Sequence, residues 1–251
     1  MKTIVTIIVL WLAFLNSALA QISSPIQTDR PDQTECPFIT PTKYMQLEIG
    51  FPYQKTTKYS KEISVPTILT KFGINNKFEL RLITEYSISR EDSRQISGIQ
   101  PIAIGFKSQL LEEKGIIPTM SFIGHFHLPK LASKAVQTNY YAPEFRFTMQ
   151  HTLTKNQTLS YNLGAEWDGE TPFPTFIYTL TTGYSFTEKI SGYIELYGFI
   201  PQKDQADHRF DGGFNYLINP NHQLDLSAGM GLSNHAPAYF ISLGYSFRFK
   251  I

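Results

Sequence analysis

Apolar and polar residues alternate with a period of two through most of the chain. The pattern is clearest at the C-terminus, where large apolar side chains hold every second position from Tyr239 to Ile251. Ser, Gly, Arg and Lys hold most of the positions between them. A period of two predicts a β-strand with one apolar and one polar face. About ten residues of such a strand cross the hydrocarbon of a bilayer at the usual tilt, so the pattern indicates strands that span a membrane.

The alternation predicts about twelve strands in all. In the second strand, Pro66, Ile68 and Leu69 disturb either phase, so its inward face remains open. The predicted class is all-β, a transmembrane antiparallel up-and-down β-barrel of about 12 strands. The expected strand ranges are 44–53, 62–72, 77–88, 100–111, 116–128, 140–151, 157–167, 175–186, 189–200, 207–217, 222–232 and 238–250.

Charged residues fall on the polar parity of these strands. A Lys or Arg against lipid costs roughly 2–4 kcal/mol at the midplane, so the polar parity should face the lumen. A water-soluble lipocalin-like barrel would show the reverse arrangement. The lumen-lining candidates are Glu48, Glu79, Arg81, Glu85, Lys107, His125, His127, Glu144, Arg146, Glu166, Glu195, Arg209, Asp211, Asp225 and Arg248.

Short and long connections alternate along the chain, as in bacterial barrels with periplasmic turns and longer extracellular loops. An even number of strands would leave both termini on the periplasmic side. Predicted tight turns are Asn75-Asn76, Glu113-Lys114-Gly115, Lys155-Asn156, Thr187-Glu188 and Asn219-Pro220-Asn221. Predicted longer joins are 54–61, 89–99, 129–139, 168–174 and 201–206.

Residues 1–20 have the features of a signal peptide: Lys2 near the start, an apolar core over 4–15, and the small-x-small sequence Ala18-Leu19-Ala20. The alternative is an N-terminal membrane anchor, but the apolar stretch is shorter than the roughly 18 to 20 residues that a spanning helix needs. We therefore expect an exported chain whose barrel occupies residues 44–251.

Residues 21–43 contain four prolines, so they cannot form one regular strand or helix. Two roles are open for this segment. It is a periplasmic tail, or it folds back into the barrel, where Arg30 would meet Glu48 or Glu79. Asp29 and Asp32 would then meet Arg81 or Arg248.

Composition narrows the class of partner. The chain has 22 basic and 21 acidic residues, which gives no electrostatic reason to expect nucleic acid. Aromatic residues make up 14%, as the aromatic girdles of an outer-membrane barrel in contact with lipid require. Cys36 is the only cysteine, so no intramolecular disulfide forms, and we expect it to be a bystander.

The octapeptide Thr28-Asp29-Arg30-Pro31-Asp32-Gln33-Thr34-Glu35 resembles the opening motif of a bacterial outer-membrane transporter family labelled "putative meta-pathway of phenol degradation". This resemblance implies a channel for small molecules, aromatic ones among them. The last strand resembles the C-terminal signal read by the barrel-assembly machinery, with aromatics at Tyr245, Phe247 and Phe249. It departs from that signal by ending in Ile251.

An enzyme within a barrel is the rival class. No His is followed two residues later by Ser, and no Gly-x-Ser-x-Gly sequence occurs. Asp204, Asp207 and His208 could form a rim site of the Asp–His kind, although solvated loop charges explain them as well. His125 and His127 share the inward face and could ligate a metal, but a third ligand is not identifiable. We therefore expect no enzyme, no metal and no cofactor.

The expected function is a narrow, selective path for small solutes, because about twelve strands enclose less space than the 16–18 strands of porins. The lumen charges could segregate into a transverse field or pair into a network that closes the barrel. A structural or adhesive barrel without transport is a third interpretation. The sequence identifies neither the solute nor the oligomeric state.

Overall fold

Strands account for nearly all regular structure in the computed structural model, which describes residues 24–57 and 60–251. The signal peptide predicted over residues 1–20 lies outside the described residues. In the described part, no helix is long and apolar enough to cross a membrane. The strands are β1 (Tyr44–Lys55), β2 (Ser60–Asn75), β3 (Phe78–Glu91), β4 (Arg94–Ile99), β5 (Ile102–Leu111), β6 (Thr119–Leu128), β7 (Ala142–Thr152), β8 (Gln157–Glu166), β9 (Thr175–Ser185), β10 (Ile190–Pro201), β11 (Asp207–Asn219), β12 (His222–Gly231) and β13 (Tyr239–Lys250).

Each strand pairs antiparallel with its neighbours, and pairing of β1 with β13 and of β2 with β3 closes the sheet. The strands β4 and β5 both pair with β3, β4 opposite its end and β5 opposite its beginning. They therefore fill one position of the wall, and the barrel has twelve positions, as the alternation predicted. Except for β4, which pairs with β3 alone, each strand has ladder partners on both sides, as the interior of a membrane requires.

One predicted join is wrong. Residues 89–99 do not form a loop, because β3 continues to Glu91 and β4 returns from Arg94 as a hairpin. The turn between them passes through Asp92, whose φ is 49°. The strand then breaks at Pro101, which has no N–H to continue a ladder. The other strand ranges are confirmed to within a few residues.

Most of the short turns lie at one end of the barrel and most of the longer loops at the other. The short connections include 76–77, 153–156, 186–189 and 220–221, and the longest loop, 129–141, lies at the opposite end. We call these the inner and outer ends, following the periplasmic and extracellular ends of bacterial barrels.

The two faces of the wall differ as the phases predicted. Large apolar side chains stand outward: Phe51, Leu163 and Leu243 remain about half exposed, whereas inward Glu48, Glu79 and Lys107 are buried. Outward aromatics lie near both ends, and Phe126 stacks on Tyr141 with ring centroids 5.3 Å apart. An apolar exterior with a charged interior is the arrangement that lipid selects.

The second strand changes phase at a β-bulge. The register between β2 and β3 shifts between Ser64 and Thr67. Ser64 is buried before the shift and Lys71 after it, although the two residues have opposite parity. An extra residue turns all later side chains to the other face, which explains why neither phase fitted the sequence of this strand.

Neighbouring positions on β11 provide a test of the two faces. Phe214 is outward and 58% exposed, whereas Asn215 lines an interior cavity. We expect Phe214→Arg to lower the free energy of unfolding in liposomes by roughly 2–4 kcal/mol, because its charge would lie in lipid. Asn215→Arg should fold as the unsubstituted chain does. Equal destabilisation by the two substitutions would contradict the assignment of faces.

Candidate functional site

Residues 24–43 lie inside the barrel as an irregular segment, here called the lumen segment. Without a strand or helix, its backbone N–H groups need partners from elsewhere, and inward side chains of the wall provide them. Glu48 accepts the N–H groups of Asp29 and Arg30 at 2.9 and 3.1 Å. The further wall residues that bind its backbone include Glu195 for Gln33 and Thr34, Asn162 for Glu35, Lys107 for Cys36, Ser121 for Pro37 and Glu79 for Thr40.

Asp29 is the electrostatic centre of the lumen segment. Its carboxylate lies 3.0 Å from Lys71 Nζ, 3.0 Å from Arg81 Nη1 and 2.7 Å from Lys107 Nζ. Burial alone would raise the pKa of Asp29, but the three cations outweigh it and hold that pKa well below its usual range. Arg81 also binds Glu35 at 2.6 Å, so the network holds the segment at two points.

Arg30 points toward the other side of the lumen. Its Nη2 donates to Asp225 Oδ1 at 2.8 Å and to Ser242 Oγ at 3.0 Å. The guanidinium passes between Gly50 and Gly244, which are paired across β1 and β13. A Cβ at Gly50 would overlap the guanidinium, and one at Gly244 would overlap Asp225. Glycine at both positions therefore makes room for the ion pair.

The partners expected for the lumen segment are only partly those observed. The side chain of Arg30 pairs with Asp225, not with Glu48 or Glu79. Asp29 does meet Arg81, whereas Arg248 binds the backbone carbonyls of Ser24 and Pro220. In the described part of the chain, Asp32 has no ion pair. The choice among inward charges depends on height along the barrel axis, which strand parity does not encode.

The predicted lumen candidates fall into three groups. Those that touch the lumen segment are Glu48, Glu79, Arg81, Lys107, Arg146, Glu195, Asp225 and Arg248. Those that line a cavity nearer the outer end are Glu85, His127, Glu166, Arg209 and Asp211. The remaining two, His125 and Glu144, contact each other at 3.3 Å, and Glu144 also pairs with Arg146 at 2.6 Å.

Cavities lie at three places within the barrel, and the lumen segment lines two of them. An inner cavity of about 360 Å³ opens among the turns at the inner end and has a largely polar lining that includes Thr158, Ser191 and Asn215. An outer cavity of about 340 Å³ lies beneath Trp167. A third, of about 230 Å³, lies between the lumen segment and Tyr197, and we call it the side cavity. Arg30 and Asp32 line both the inner and the side cavities, so this part of the segment separates them.

Some residues of the site were missed by the sequence analysis. Lys71 is the most important, because it binds Asp29 and Glu48 and is almost fully buried. Pro66 inside a strand is a signal of a bulge, and a phase restarted after it would have turned Lys71 inward. Uncharged anchors such as Asn162 and Ser121 carry no comparable signal.

The candidate enzymatic and metal sites are not assembled. Asp207 pairs with Arg209, and His208 Nδ1 lies 2.8 Å from the Tyr178 hydroxyl. Each of these two residues therefore binds a different side chain, and they do not form the Asp–His pair of the enzymatic hypothesis. Among residues 24–57 and 60–251, no group of three or more His, Cys, Asp or Glu side chains could hold a metal ion.

A closed antiparallel barrel with a lipid-compatible exterior and a charged interior defines an outer-membrane β-barrel protein. Residues 28–249 match the family described as "Putative MetA-pathway of phenol degradation", and the chain belongs to this family. The match begins at Thr28, the first residue of the octapeptide, and confirms the resemblance stated from it. Among curated proteins, none matches the chain.

Solved structures share the fold at low sequence identity. The COG4313 outer membrane channel from Pseudomonas putida F1 is 12% identical with a TM-score of 0.67, over 85% of this chain and 98% of that one. The NanC porin is 10% identical with a TM-score of 0.57, over 81% and 98%. The KdgM porin is 10% identical with a TM-score of 0.53, over 80% and 99%.

Cys36 provides a native probe of how the lumen segment is held. It lies beside Lys107 and Asp29, and burial, followed by the charge of Asp29, raises the pKa of its thiol to about 12. Since the thiolate is the reactive form, alkylation at pH 8 should be slow. Asp29→Asn removes the partner of three buried cations, which should release the segment, and it also removes the charge that raises the pKa of the thiol, so the alkylation rate should rise by about tenfold or more.

The control for this experiment is Asp204→Asn. Asp204 is exposed on an outer loop, so its substitution should leave the rate unchanged. An Asp29→Asn protein that alkylates as slowly as the control would show that the three ion pairs do not hold the segment.

Proposed function

We propose that the protein is an outer-membrane channel that passes small organic solutes along one side of its lumen segment. The cations bound to Asp29 come from β2, β3 and β5, so the ion pairs of Asp29 hold the segment to that wall. The inner cavity is lined by β7–β12 and the side cavity by β1 and β10–β13, and Arg30 and Asp32 separate the two. This arrangement of two cavities divided by a short stretch of chain is the observation that carries the proposal.

The similar proteins indicate which solutes to test. The family description names phenol degradation, and similar structures are titled an outer membrane channel and porins. Small aromatic molecules are therefore the solutes to test first. The narrow lumen favours selective passage over general diffusion, because twelve strands enclose less space than a 16–18-stranded porin.

The partners that we propose follow from the fold. The outward apolar face contacts outer-membrane lipid, and the aromatic C-terminal strand binds the barrel-assembly machinery during insertion. The small solute is the ligand of the lumen. We assign no catalytic activity, because neither Asp207 nor His208 has the partner that the enzymatic hypothesis needs.

Conductance in planar bilayers tests the channel. Deleting residues 24–40 removes the barrier between the cavities and should raise single-channel conductance several-fold. Arg30→Ala should raise it partially, because it shortens the side chain that lines both the inner and the side cavities. Arg94→Ala, on the exposed β3–β4 hairpin, should leave conductance unchanged.

Folding of each variant is checked by the mobility shift between unheated and boiled samples on gels. If the deletion protein folds but conducts no better than the full chain, the wall itself must seal the lumen. The structural or adhesive interpretation would then replace the channel.

A further inference from the structure

Three carboxylates near the side cavity lack a cationic partner. Asp32 belongs to the lumen segment, Glu195 and Asp211 stand opposite each other on β10 and β11, and Asp32 interacts electrostatically with both. In the described residues, no Lys, Arg or His forms an ion pair with any of the three. The carboxylates that do pair with a cation are Asp29, Glu35, Glu48, Glu79, Glu144, Asp207 and Asp225.

The cations closest to this cluster already have partners. Arg30 and Arg209 both line the side cavity, but Arg30 pairs with Asp225 at 2.8 Å, and Arg209 binds Asp207. Each pair is neutral as a whole. Asp32, Glu195 and Asp211 therefore have no cation beside them to balance the charge that they carry when ionised.

Two residues that line the same cavity carry polar atoms without a hydrogen-bond partner. Asp211 is 2% exposed, and its Oδ1 has no hydrogen-bond partner, while Oδ2 accepts a 3.4 Å bond from the Tyr193 hydroxyl. Ser227 is 1% exposed, and its Oγ is likewise unpartnered. Both residues line the side cavity. A buried polar atom without a partner costs free energy that a ligand with donor groups would recover.

The size and remaining lining of the cavity define what fits. Its volume is about 230 Å³, larger than the cavity of about 150 Å³ that holds benzene in another protein. Tyr197 and Phe240 contribute aromatic surface to the lining. Aromatic rings pack against apolar ligands and attract cations on their faces. The cavity thus combines acids without a cationic partner, free acceptors and aromatic surface.

We propose that the side cavity is a binding site for the protonated amine of a small organic solute, with Asp211, Asp32 and Ser227 accepting from its ammonium group. This inference rests on the proposed function, because it names a class of solute for the same channel lumen. The ammonium supplies the charge that the cluster lacks, and the aromatic residues contact the rest of the molecule.

The empty cluster can hold a proton in place of the ligand. Burial, and then the charge of Glu195, raise the pKa of Asp32 well above its usual range. Like charges in close proximity cannot all ionise without a counter-ion. An incoming ammonium would replace that proton, so the site should discriminate by charge and not only by size.

Calorimetry on the folded protein in detergent micelles tests the site with a matched pair of probes. Benzylamine carries the ammonium group, and benzyl alcohol has a similar shape without the charge. We expect saturable benzylamine binding, with benzyl alcohol at least about tenfold weaker, in line with the strength of charged hydrogen bonds. Asp211→Asn and Asp32→Asn should each weaken benzylamine by about tenfold or more.

The control is Glu166→Gln, which removes an acid from the separate outer cavity and should leave benzylamine affinity unchanged. Should Asp211→Asn fail to fold, Asp32→Asn decides, because Asp32 is outside the wall. Equal binding of the two probes, no binding of either, or unchanged affinity in the variants would overturn the site. Binding of Na⁺ or Ca²⁺ alone would also overturn it, as an inorganic ion would then fill the cluster.

Conductance measurements distinguish failure of the amine site from failure of the proposed channel. If the deletion of residues 24–40 raises conductance while benzylamine fails to bind, the channel stands and the amine site is wrong. If benzylamine binds while the deletion leaves conductance unchanged, the site stands and the channel is wrong.

Discussion

The three cations around Asp29 are the interaction on which the interior depends. Lys71, Arg81 and Lys107 come from three strands that are neighbours in the wall, and each would face two like charges if the carboxylate were absent. Removing one partner from a buried ion pair is strongly destabilising because the remaining charge stays desolvated. The wall therefore needs the lumen segment as much as the segment needs the wall, and the inward charges serve first as anchors.

Anchoring on one side leaves the lumen asymmetric. The ion pairs of Asp29 and the bonds of Glu35 and Thr40 hold the lumen segment against β2–β8. Toward β10–β13, Arg30 crosses the gap through the space left by Gly50 and Gly244. The segment also bonds to Glu195 of β10 through the N–H groups of Gln33 and Thr34, so it bridges the lumen at more than one point while keeping space beside it. The cavities occur where this bridging leaves the wall uncovered.

Strand positions were predictable because each residue of a membrane barrel meets one of two very different environments. Parity alone then separates Leu243 from Ser242, whatever the rest of the chain does. The prediction failed where backbone geometry interrupts that local code. The bulge before Thr67 reverses the phase of β2, so parity does not predict that Lys71 faces inward. The hairpin at Asp92 lies where the sequence predicts a loop. The partner of Arg30 could not be predicted for a different reason. Parity gives the face of a residue but not its height in the barrel.

Pairing among the lumen charges also determines what a solute would meet. Where each acid has a Lys or Arg beside it, the fields cancel within a few ångströms, and the lumen presents hydrogen bonds but little net charge. Asp32 and Asp211 line the side cavity without such a cation, and Glu195 lies opposite Asp211. A barrel gains no stability from three buried acids without cations, so the cluster needs an explanation other than stability. Recognition of a positively charged group supplies one, because the favourable interaction of these acids with a cation forms only when a cationic solute binds.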